Sequence, residues 1–291
     1  MLATNNKFLG LLYLGPALLF VAVFVLYPLV QLISLSFTSE SLLGGGEYVG
    51  FENYVKAFND KNFWRAFWFT AQYTAYITPI LMIFAFMLAL LASVNRPLIQ
   101  LARGVIFLPV VIGLASSSLL WFWLFDQQVG LFNKLLVDIG ILDKPLVWFR
   151  KADLGQLAVV ISVTWKIVGF GMLLMIAGMQ SISGEIIEAA KIDGATYWQR
   201  VRRIILPLSM RSILLATLVS IIGSMLAFDQ FYLMTGGAPR GQTFTSVYWI
   251  YQNSFVYFKL GYGSALSVIL MIVIMLGTAV QIMLARRGPR Q

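Results

Sequence analysis

Six long apolar stretches dominate the sequence and limit what the chain can fold into. Each is long enough to cross the hydrocarbon core of a bilayer, which takes about 20 apolar residues in a helix. Backbone groups inside a bilayer must be hydrogen-bonded within their own segment, so each stretch is expected to be a helix. The stretches are Leu9–Phe37, Phe67–Val94, Val105–Phe125, Leu157–Met179, Ile213–Met234 and Ser264–Leu284. The sequence therefore predicts an all-α, polytopic membrane protein with six transmembrane helices.

The first apolar stretch is expected to stay in the protein as a membrane span. Lys7 precedes it, as a basic residue precedes the apolar part of a signal peptide, but the stretch is too long for one and no small-residue cleavage site follows. With 59% hydrophobic and 11% charged residues, the chain is typical of integral membrane proteins. We predict a first helix with an external segment at 1–66, a membrane core at 67–284 and a cytoplasmic tail at 285–291.

The charged residues outside the spans indicate which side faces the cytoplasm. With the N-terminus inside, the inner segments hold 11 basic and three acidic residues, whereas the outer segments hold nine basic and eight acidic ones. Lys166 and Asp229 lie within spans and cancel, so most of the net charge of +9 falls on the inner face. We predict cytoplasmic termini and an inner face suited to anionic lipid. No basic-aromatic motif for nucleic acid occurs.

The composition excludes several classes of chemistry. The chain has no cysteine and no histidine, which rules out disulfides, thiol catalysis and histidine acid–base catalysis and argues against a zinc site. No glycine-rich phosphate loop occurs, so we expect this chain to bind neither ATP nor a metal; if ATP drives the protein, another chain must bind it. No nucleophile–base pair or paired intramembrane carboxylates support a membrane enzyme.

A polar segment between the fourth and fifth spans carries helix signals at fixed spacing, EAAKIDGATYWQRVRRIILP. Ser181 or Ser183 can cap a first helix. Gly194 can adopt the left-handed conformation that ends it. Thr196 and Gln199 then fit a capping box that begins a second helix. The sequence predicts two short helices joined by a tight turn.

The fixed positions of this segment resemble the cytoplasmic coupling loop of ABC-importer permeases. They are Glu188, Ala189, Ala190, Asp193, Gly194, Ile204, Leu206 and Pro207. Outside this loop, the chain is similar to carbohydrate permeases of the maltose, lactose and glycerol-phosphate type over nearly its whole length. The stretches that carry this similarity are Val49–Tyr54, Phe107–Pro109, Leu124-Phe125 with Gly130–Asn133, and Phe228-Asp229 with Thr235–Pro239.

The resemblance implies the fold of a type I ABC-importer permease in a bacterial inner membrane. Such a chain pairs with a second, similar permease and forms half of a pathway for a carbohydrate delivered by an external solute-binding protein. A cytoplasmic ATPase dimer, which holds ATP and magnesium, grips the coupling loop. Glu188 would meet a basic residue of the ATPase, Gly194 would supply the turn, and Leu206-Pro207 would anchor the second helix.

Several residues inside the predicted spans are candidates for the substrate pathway. Ionisable groups in spans are costly and are usually functional or paired. Lys166 and Asp229 therefore either line the pathway and contact a polar or acidic sugar, or form a structural ion pair, unless Lys166 extends its ammonium to the membrane surface. Aromatic faces stack on sugars, and small hydroxyl residues either face a pathway or pack helices. The remaining candidates are Trp165, Phe170, Ser220 and Ser224. Of the polar residues that form the sugar contacts in maltose-type permeases, only the one matched by Ser220 is clearly kept here, which favours a substrate other than maltose or contacts from the partner permease.

One alternative function is a secondary carrier driven by an ion gradient. Such carriers commonly have inverted repeats and intramembrane ion sites, whereas no repeat is visible here and Lys166 and Asp229 are isolated. A second open question concerns the outer amphipathic stretch Leu131–Leu142, which either rests on the lipid surface or receives an external partner.

Overall fold

The computed structural model describes residues 7–94 and 96–286, and these residues contain many helices and no β-strand, as predicted. An isolated antiparallel bridge joins Thr38 and Tyr48. Of the predicted tail, residues 287–291 lie outside the described residues, and the last helix continues to Arg286. The α-helices are α1 Lys7–Val21, α2 Tyr27–Leu35, α3 Glu52–Asn59, α4 Lys61–Ala92, α5 Pro97–Val111, α6 Leu114–Leu124, α7 Leu131–Asp138, α8 Ala152–Gln180, α9 Gly184–Ile192, α10 Tyr197–Arg200, α11 Leu206–Leu208, α12 Met210–Met225, α13 Ser246–Tyr251 and α14 Leu260–Arg286.

Four described helices or runs of helix are long and apolar enough to cross a bilayer. They are Tyr13–Leu35, Lys61–Ala92, Ala152–Gln180 and Leu260–Met283. Two further spans are bent pairs: α5 with α6 at 97°, and Tyr197–Leu208 with α12 at 66°. The number of spans therefore reaches the predicted six when each bent pair is counted once.

The third predicted span, Val105–Phe125, is not one straight helix. The helix α5 ends two residues after Pro109, and Ile112 and Gly113 are extended before α6 begins. Proline lacks the amide hydrogen of a helical bond and its ring disturbs the turn before it, so Pro109 by itself does not explain a break that begins after Val111. The expectation of a single unbroken helix was wrong here.

The fifth predicted span, Ile213–Met234, is also interrupted. The helix α12 ends at Met225, and a short π-helical turn at Phe231–Thr235 follows the break. The carbonyl of Ala227, within the break, accepts a hydrogen bond from the hydroxyl of Thr245 at 2.7 Å. A side chain from a later segment thus satisfies a backbone group that an uninterrupted helix would satisfy itself.

The structure divides into two compact units, and the smaller one draws on residues up to 61 and residues 250–273. Within it, the Asn53 side chain of α3 donates hydrogen bonds to the carbonyls of Ser36 and Thr38 at 3.0 and 2.8 Å. The hydroxyl of Tyr262 donates to the Asp60 carboxylate at 2.8 Å. These polar bonds hold the segment after the first span in place.

The larger unit draws on residues 62–249 and those from 274 onward, and small residues bring its helices close together. Ala85 and Ala89 of α4 pack with Met172 and Met175 of α8 in a fully buried cluster. Membrane helices gain little from apolar burial against lipid, so close packing through small residues is a main source of their association. This arrangement brings α4, α8 and α12 around a common interior.

An aromatic cluster and one buried asparagine hold the segment that contains α7. The rings of Phe125 and Phe132 stack at 4.9 Å, and Trp148 lies 4.7 Å from Phe125. Asn133 is 1% exposed; its amide donates to the carbonyls of Asp126 and Leu146, and its oxygen accepts from the Leu146 amide and the Trp148 indole. With all of its hydrogen-bonding capacity used, Asn133 orders this segment.

Candidate functional site

The polar segment after α8 forms the two predicted short helices. The first, α9, begins after Ser183, whose side chain makes no capping bond, while the Ser181 hydroxyl bonds back to the Gly178 carbonyl. Gly194 has φ of +76°, and the amide of Ala195 donates to the carbonyl of Ala190 at 2.9 Å. This geometry is typical of a glycine-terminated helix. The predicted turn at Gly194 is confirmed.

The second short helix begins with the predicted capping box. The Thr196 amide donates to the Gln199 side chain at 2.7 Å, and the Gln199 amide donates to the Thr196 hydroxyl at 3.4 Å. These reciprocal bonds satisfy amide groups that lack helical acceptors. The helix continues through a π-helical turn to Leu208, one residue after Pro207, and α12 then leaves at the 66° bend.

The two short helices expose apolar side chains beside charged ones. Ile192 is 86% exposed and Trp198 is 72% exposed, while Glu188 and Asp193 lie in the same segment and are also exposed. A concentration of exposed apolar area within a polar segment is typical of a surface that contacts another protein or a membrane. We call this segment, residues 181–211, the coupling loop.

The predicted coupling residues do not all share one environment. Ala189 is exposed, whereas Ala190 is 8% exposed and faces the interior. Ile204 and Leu206 are half-buried, and Pro207 is exposed. The two adjacent alanines therefore lie in different surroundings, since Ala190 packs against the protein interior and Ala189 is at the surface.

A cavity of about 200 Å³ lies among α4, α8 and α12. Three predicted pathway residues line it: Phe170, Ser220 and Ser224. The Ser220 hydroxyl donates to the Thr78 hydroxyl at 3.2 Å, and the Ser224 hydroxyl donates to the Ile221 carbonyl at 3.0 Å. The structure thus brings these candidates together around one space.

Two further polar residues line the cavity and were missed by sequence reasoning. Tyr73 is 1% exposed and Gln230 is 7% exposed, and their side chains are close neighbours at this cavity. Tyr73 sits in a long apolar run, where a tyrosine gives no signal of its own. Gln230 follows Asp229 directly, and its position as a polar residue inside a predicted span was a signal that could have identified it. With Ser220 and Ser224, they supply a few polar groups in an otherwise apolar space, a common composition for a small-molecule site.

Lys166 does not line this cavity. It is 4% exposed, and its ammonium donates hydrogen bonds to the carbonyls of Pro109, at 3.2 Å, and Val110, at 3.5 Å, and to the carbonyl of Ile112. These carbonyls stand at the end of α5, where no following helical turn supplies amide donors. The ammonium therefore supplies hydrogen-bond donors to the carbonyls at the break between α5 and α6.

Trp165 and Asp229 also lie outside the lining of the cavity. The ring of Trp165 packs edge-on against Trp121 at 5.6 Å, beside the aromatic cluster near α7. Asp229 is half-buried just after the break that follows α12. The partners of the Lys166 ammonium are carbonyl oxygens, and Asp229 is not among them.

Comparison with known proteins gives a consistent set of relatives. The family profile described as "Binding-protein-dependent transport system inner membrane component" matches residues 54–288. The sulfoquinovosyl glycerol transport system permease protein SmoG of Agrobacterium fabrum is 34% identical over 97% of this chain and 92% of its own length. The lactose transport system permease protein LacF of Rhizobium radiobacter is 31% identical over 95% of this chain and 94% of its own length.

The fold is also similar to that of a solved transporter chain. A crystal structure of a bacterial ABC transporter involved in the import of the acidic polysaccharide alginate matches with a TM-score of 0.86. The match covers 98% of each chain at 20% sequence identity. At this identity, the similarity establishes the fold.

Proposed function

The chain belongs to the family of binding-protein-dependent transport system inner membrane components, and on this premise we propose that it forms half of the pathway through which an ABC importer moves a carbohydrate. This is the family that the coupling-loop motif predicted from the sequence. The protein is an inner-membrane transport component rather than an enzyme, and its transport depends on a binding protein.

The coupling loop is the observation that carries the proposal. The helix α8 has 29 residues and is about 43 Å long, and the loop follows its C-terminal end directly. A short helix closed by Gly194 and a second helix opened by a capping box form a compact projection with exposed Glu188 and Ile192. Such a projection transmits the movement of a docked partner to the spans on either side.

We assign this projection to a cytoplasmic ATPase dimer that holds ATP and magnesium. In this role Glu188 meets a basic residue of the ATPase, while the exposed Ala189 allows close approach and Asp193 adds negative charge. Gly194 provides the turn, Ala190, Ile204 and Leu206 pack the two helices against the rest of the chain, and Pro207 lies at the end of the second helix. This assignment places the loop and both termini in the cytoplasm, with α8 beginning at the external side.

The proposed substrate is a carbohydrate or sugar derivative. Relatives of this chain are named for sulfoquinovosyl glycerol and lactose, and a trehalose/maltose permease of Thermococcus litoralis is 28% identical over 96% of the chain. The cavity supports this class because Phe170 offers an aromatic face and Tyr73 and Gln230 offer hydrogen bonds. We propose that a second, similar permease completes the pathway and that an external binding protein delivers the sugar.

The runner-up function, an ion-gradient carrier, has less support. A relay of protons or ions needs exchangeable groups that face a pathway. The Lys166 ammonium instead holds three backbone carbonyls, and neither Lys166 nor Asp229 lines the cavity.

A mild-detergent pull-down of the tagged chain from its native membrane tests the proposal, with mass spectrometry of the proteins that accompany it. We expect a nucleotide-binding ATPase, a second permease with an EAA-type loop and an external binding protein. The same pull-down with Glu188→Ala should recover less ATPase, while Glu185→Ala, an exposed change in the same helix, serves as the matched control. A chain that purifies alone and transports in ATP-free liposomes would establish the carrier instead.

A further inference from the structure

A second cavity lies at the other end of α8 from the coupling loop. It has a volume of about 310 Å³ and opens to the surface. The helix α4 contributes one face to it, with lining residues at helical spacing. The lining residues are Arg65, Trp68, Phe69 and Gln72 of α4, Ala152, Asp153 and Gln156 of α8, and Gln242 of the loop before α13. We call this space the outer cleft.

The side chains of the outer cleft are chemically suited to neutral hydroxyl groups. Three carboxamides line it, and each both donates and accepts hydrogen bonds. Arg65 and Asp153 carry opposite charges, so the cleft does not select an anion or a cation by net charge. Trp68 is 62% exposed and offers a broad apolar ring face. Planar hydrogen-bonding groups beside an exposed aromatic ring match the alternating hydroxyl and C–H faces of a sugar ring.

One polar group in the outer cleft lacks a partner. The amide nitrogen of Gln156 is buried and has no hydrogen-bond acceptor among the residues that the structure describes. A buried donor without an acceptor is unfavourable, and a small rotation of the Gln156 side chain toward a bound hydroxyl group would relieve this. An exposed tryptophan near a helix end is by itself typical of the membrane interface, but a buried unpaired amide and two neighbouring glutamines are not.

A single aromatic ring connects the outer cleft to the pathway cavity. Phe69 lines the cleft and Tyr73, one helical turn later, lines the cavity. Both rings meet Phe231 edge-on, with centroids 5.2 and 5.0 Å from it, and Phe231 is fully buried. The cleft is therefore adjacent to the cavity, and the Phe231 ring contacts one lining residue of each.

From these observations we propose that the outer cleft is a carbohydrate subsite that holds a sugar unit before it reaches the pathway cavity. This inference rests on the proposed function, because the coupling loop assigns this end of α8 to the external side. Trp68 stacks on the sugar ring, while the carboxamides of Gln72, Gln156 and Gln242 bond its hydroxyl groups. The Phe231 ring then separates the waiting sugar from the cavity.

The natural absence of cysteine allows a direct test by site-specific labelling. Gln242→Cys places one thiol at the cleft, and Asp143→Cys places one at an exposed position outside the lining of the cleft. The full complex, with the partner chains in cysteine-free form, is reconstituted, and a membrane-impermeant maleimide is added with lactose, trehalose or sulfoquinovosyl glycerol. We expect the sugar that the complex imports to slow labelling of Gln242→Cys at least about threefold and to leave Asp143→Cys unchanged.

Uptake kinetics provide a second, independent readout. We expect Trp68→Ala to raise the KM for the imported sugar several-fold with little change in kcat, because it removes a binding face without touching the coupling loop. Tyr76→Ala is the matched control, since Tyr76 is an exposed aromatic residue of the same helix that lines neither cavity. A normal KM for Trp68→Ala would argue against the subsite.

The outcomes separate this inference from the proposed function. If the unaltered complex shows no ATP-dependent uptake, the importer function itself fails. If uptake is intact and the imported sugar does not slow labelling of Gln242→Cys, the subsite is overturned. If the sugar-free binding protein slows labelling of Gln242→Cys and the sugar alone does not, the outer cleft is a docking surface for that protein. This result would also overturn the subsite.

Discussion

The ammonium nitrogen of Lys166 lies 3.2 Å from the carbonyl oxygen of Pro109, a residue 57 positions earlier in the chain. The same nitrogen also bonds the carbonyl of Val110 at 3.5 Å and that of Ile112. A buried charge in a membrane protein is usually functional or paired. Here its partners are backbone dipoles at the end of α5, so the lysine stabilises a bend between two helices.

Replacing this lysine should therefore affect folding before it affects sugar binding. We expect Lys166→Met to lower the free energy of unfolding by roughly 1–3 kcal/mol, because the carbonyls of Val110 and Ile112 lose the ammonium donor. Thermal unfolding of the purified complex in detergent measures this, with Lys134→Met, at an exposed lysine of α7, as the control. Unaltered unfolding together with a raised KM would instead place Lys166 in contact with the substrate.

A glycine in α8 is needed for the close approach of α5. A side-chain carbon at Gly169 would collide with the backbone of Ile106 and Phe107, whereas one at Gly104, in α5, would meet nothing within 4 Å. We expect Gly169→Ala to destabilise the protein by about 1–3 kcal/mol through overpacking. Gly104→Ala should be neutral or slightly stabilising, since alanine favours a helix interior. Equal unfolding midpoints for the two variants would contradict this prediction and would show that α5 can move away from a side chain at position 169 at little cost.

Transport should depend on the exposed side chain of Glu188. We expect Glu188→Ala to abolish most ATP-dependent uptake while the chain still inserts into the membrane, because the proposed contact with the ATPase loses its carboxylate. Gly194→Pro should act in the same way, since proline cannot adopt the φ of +76° found there. Uptake assays at matched expression measure both, and normal uptake by either variant would contradict the coupling assignment.

Variants at Tyr73 and Gln230 distinguish an effect on stability from an effect on transport. Gln230→Leu removes the polar neighbour of the buried Tyr73 hydroxyl, and we expect a loss of about 1–3 kcal/mol in the free energy of unfolding. Adding Tyr73→Phe removes the unpaired hydroxyl and should restore most of that loss. The KM for uptake should stay raised several-fold in the double variant, because both polar groups have left the cavity. A double variant with a normal KM would show that the pair serves folding alone.

The sequence by itself determined the features that depend on neighbouring residues. Hydrophobic runs predicted the helices, and the EAA-type spacing identified the family. The turn at Gly194 and the capping box of Thr196 and Gln199 were predictable because each needs only residues within one or two helical turns.

Tertiary structure decided which distant groups meet. It directed Lys166 to the end of α5 rather than to the cavity, broke two predicted spans, and placed Tyr73 beside Gln230. In the break after α12, the carbonyl of Ala227 accepts a hydrogen bond from the hydroxyl of Thr245, which lies 18 residues later in the chain. These contacts depend on how closely whole helices approach one another. The approach is set jointly by small residues in several spans, and no local pattern of hydrophobicity encodes it.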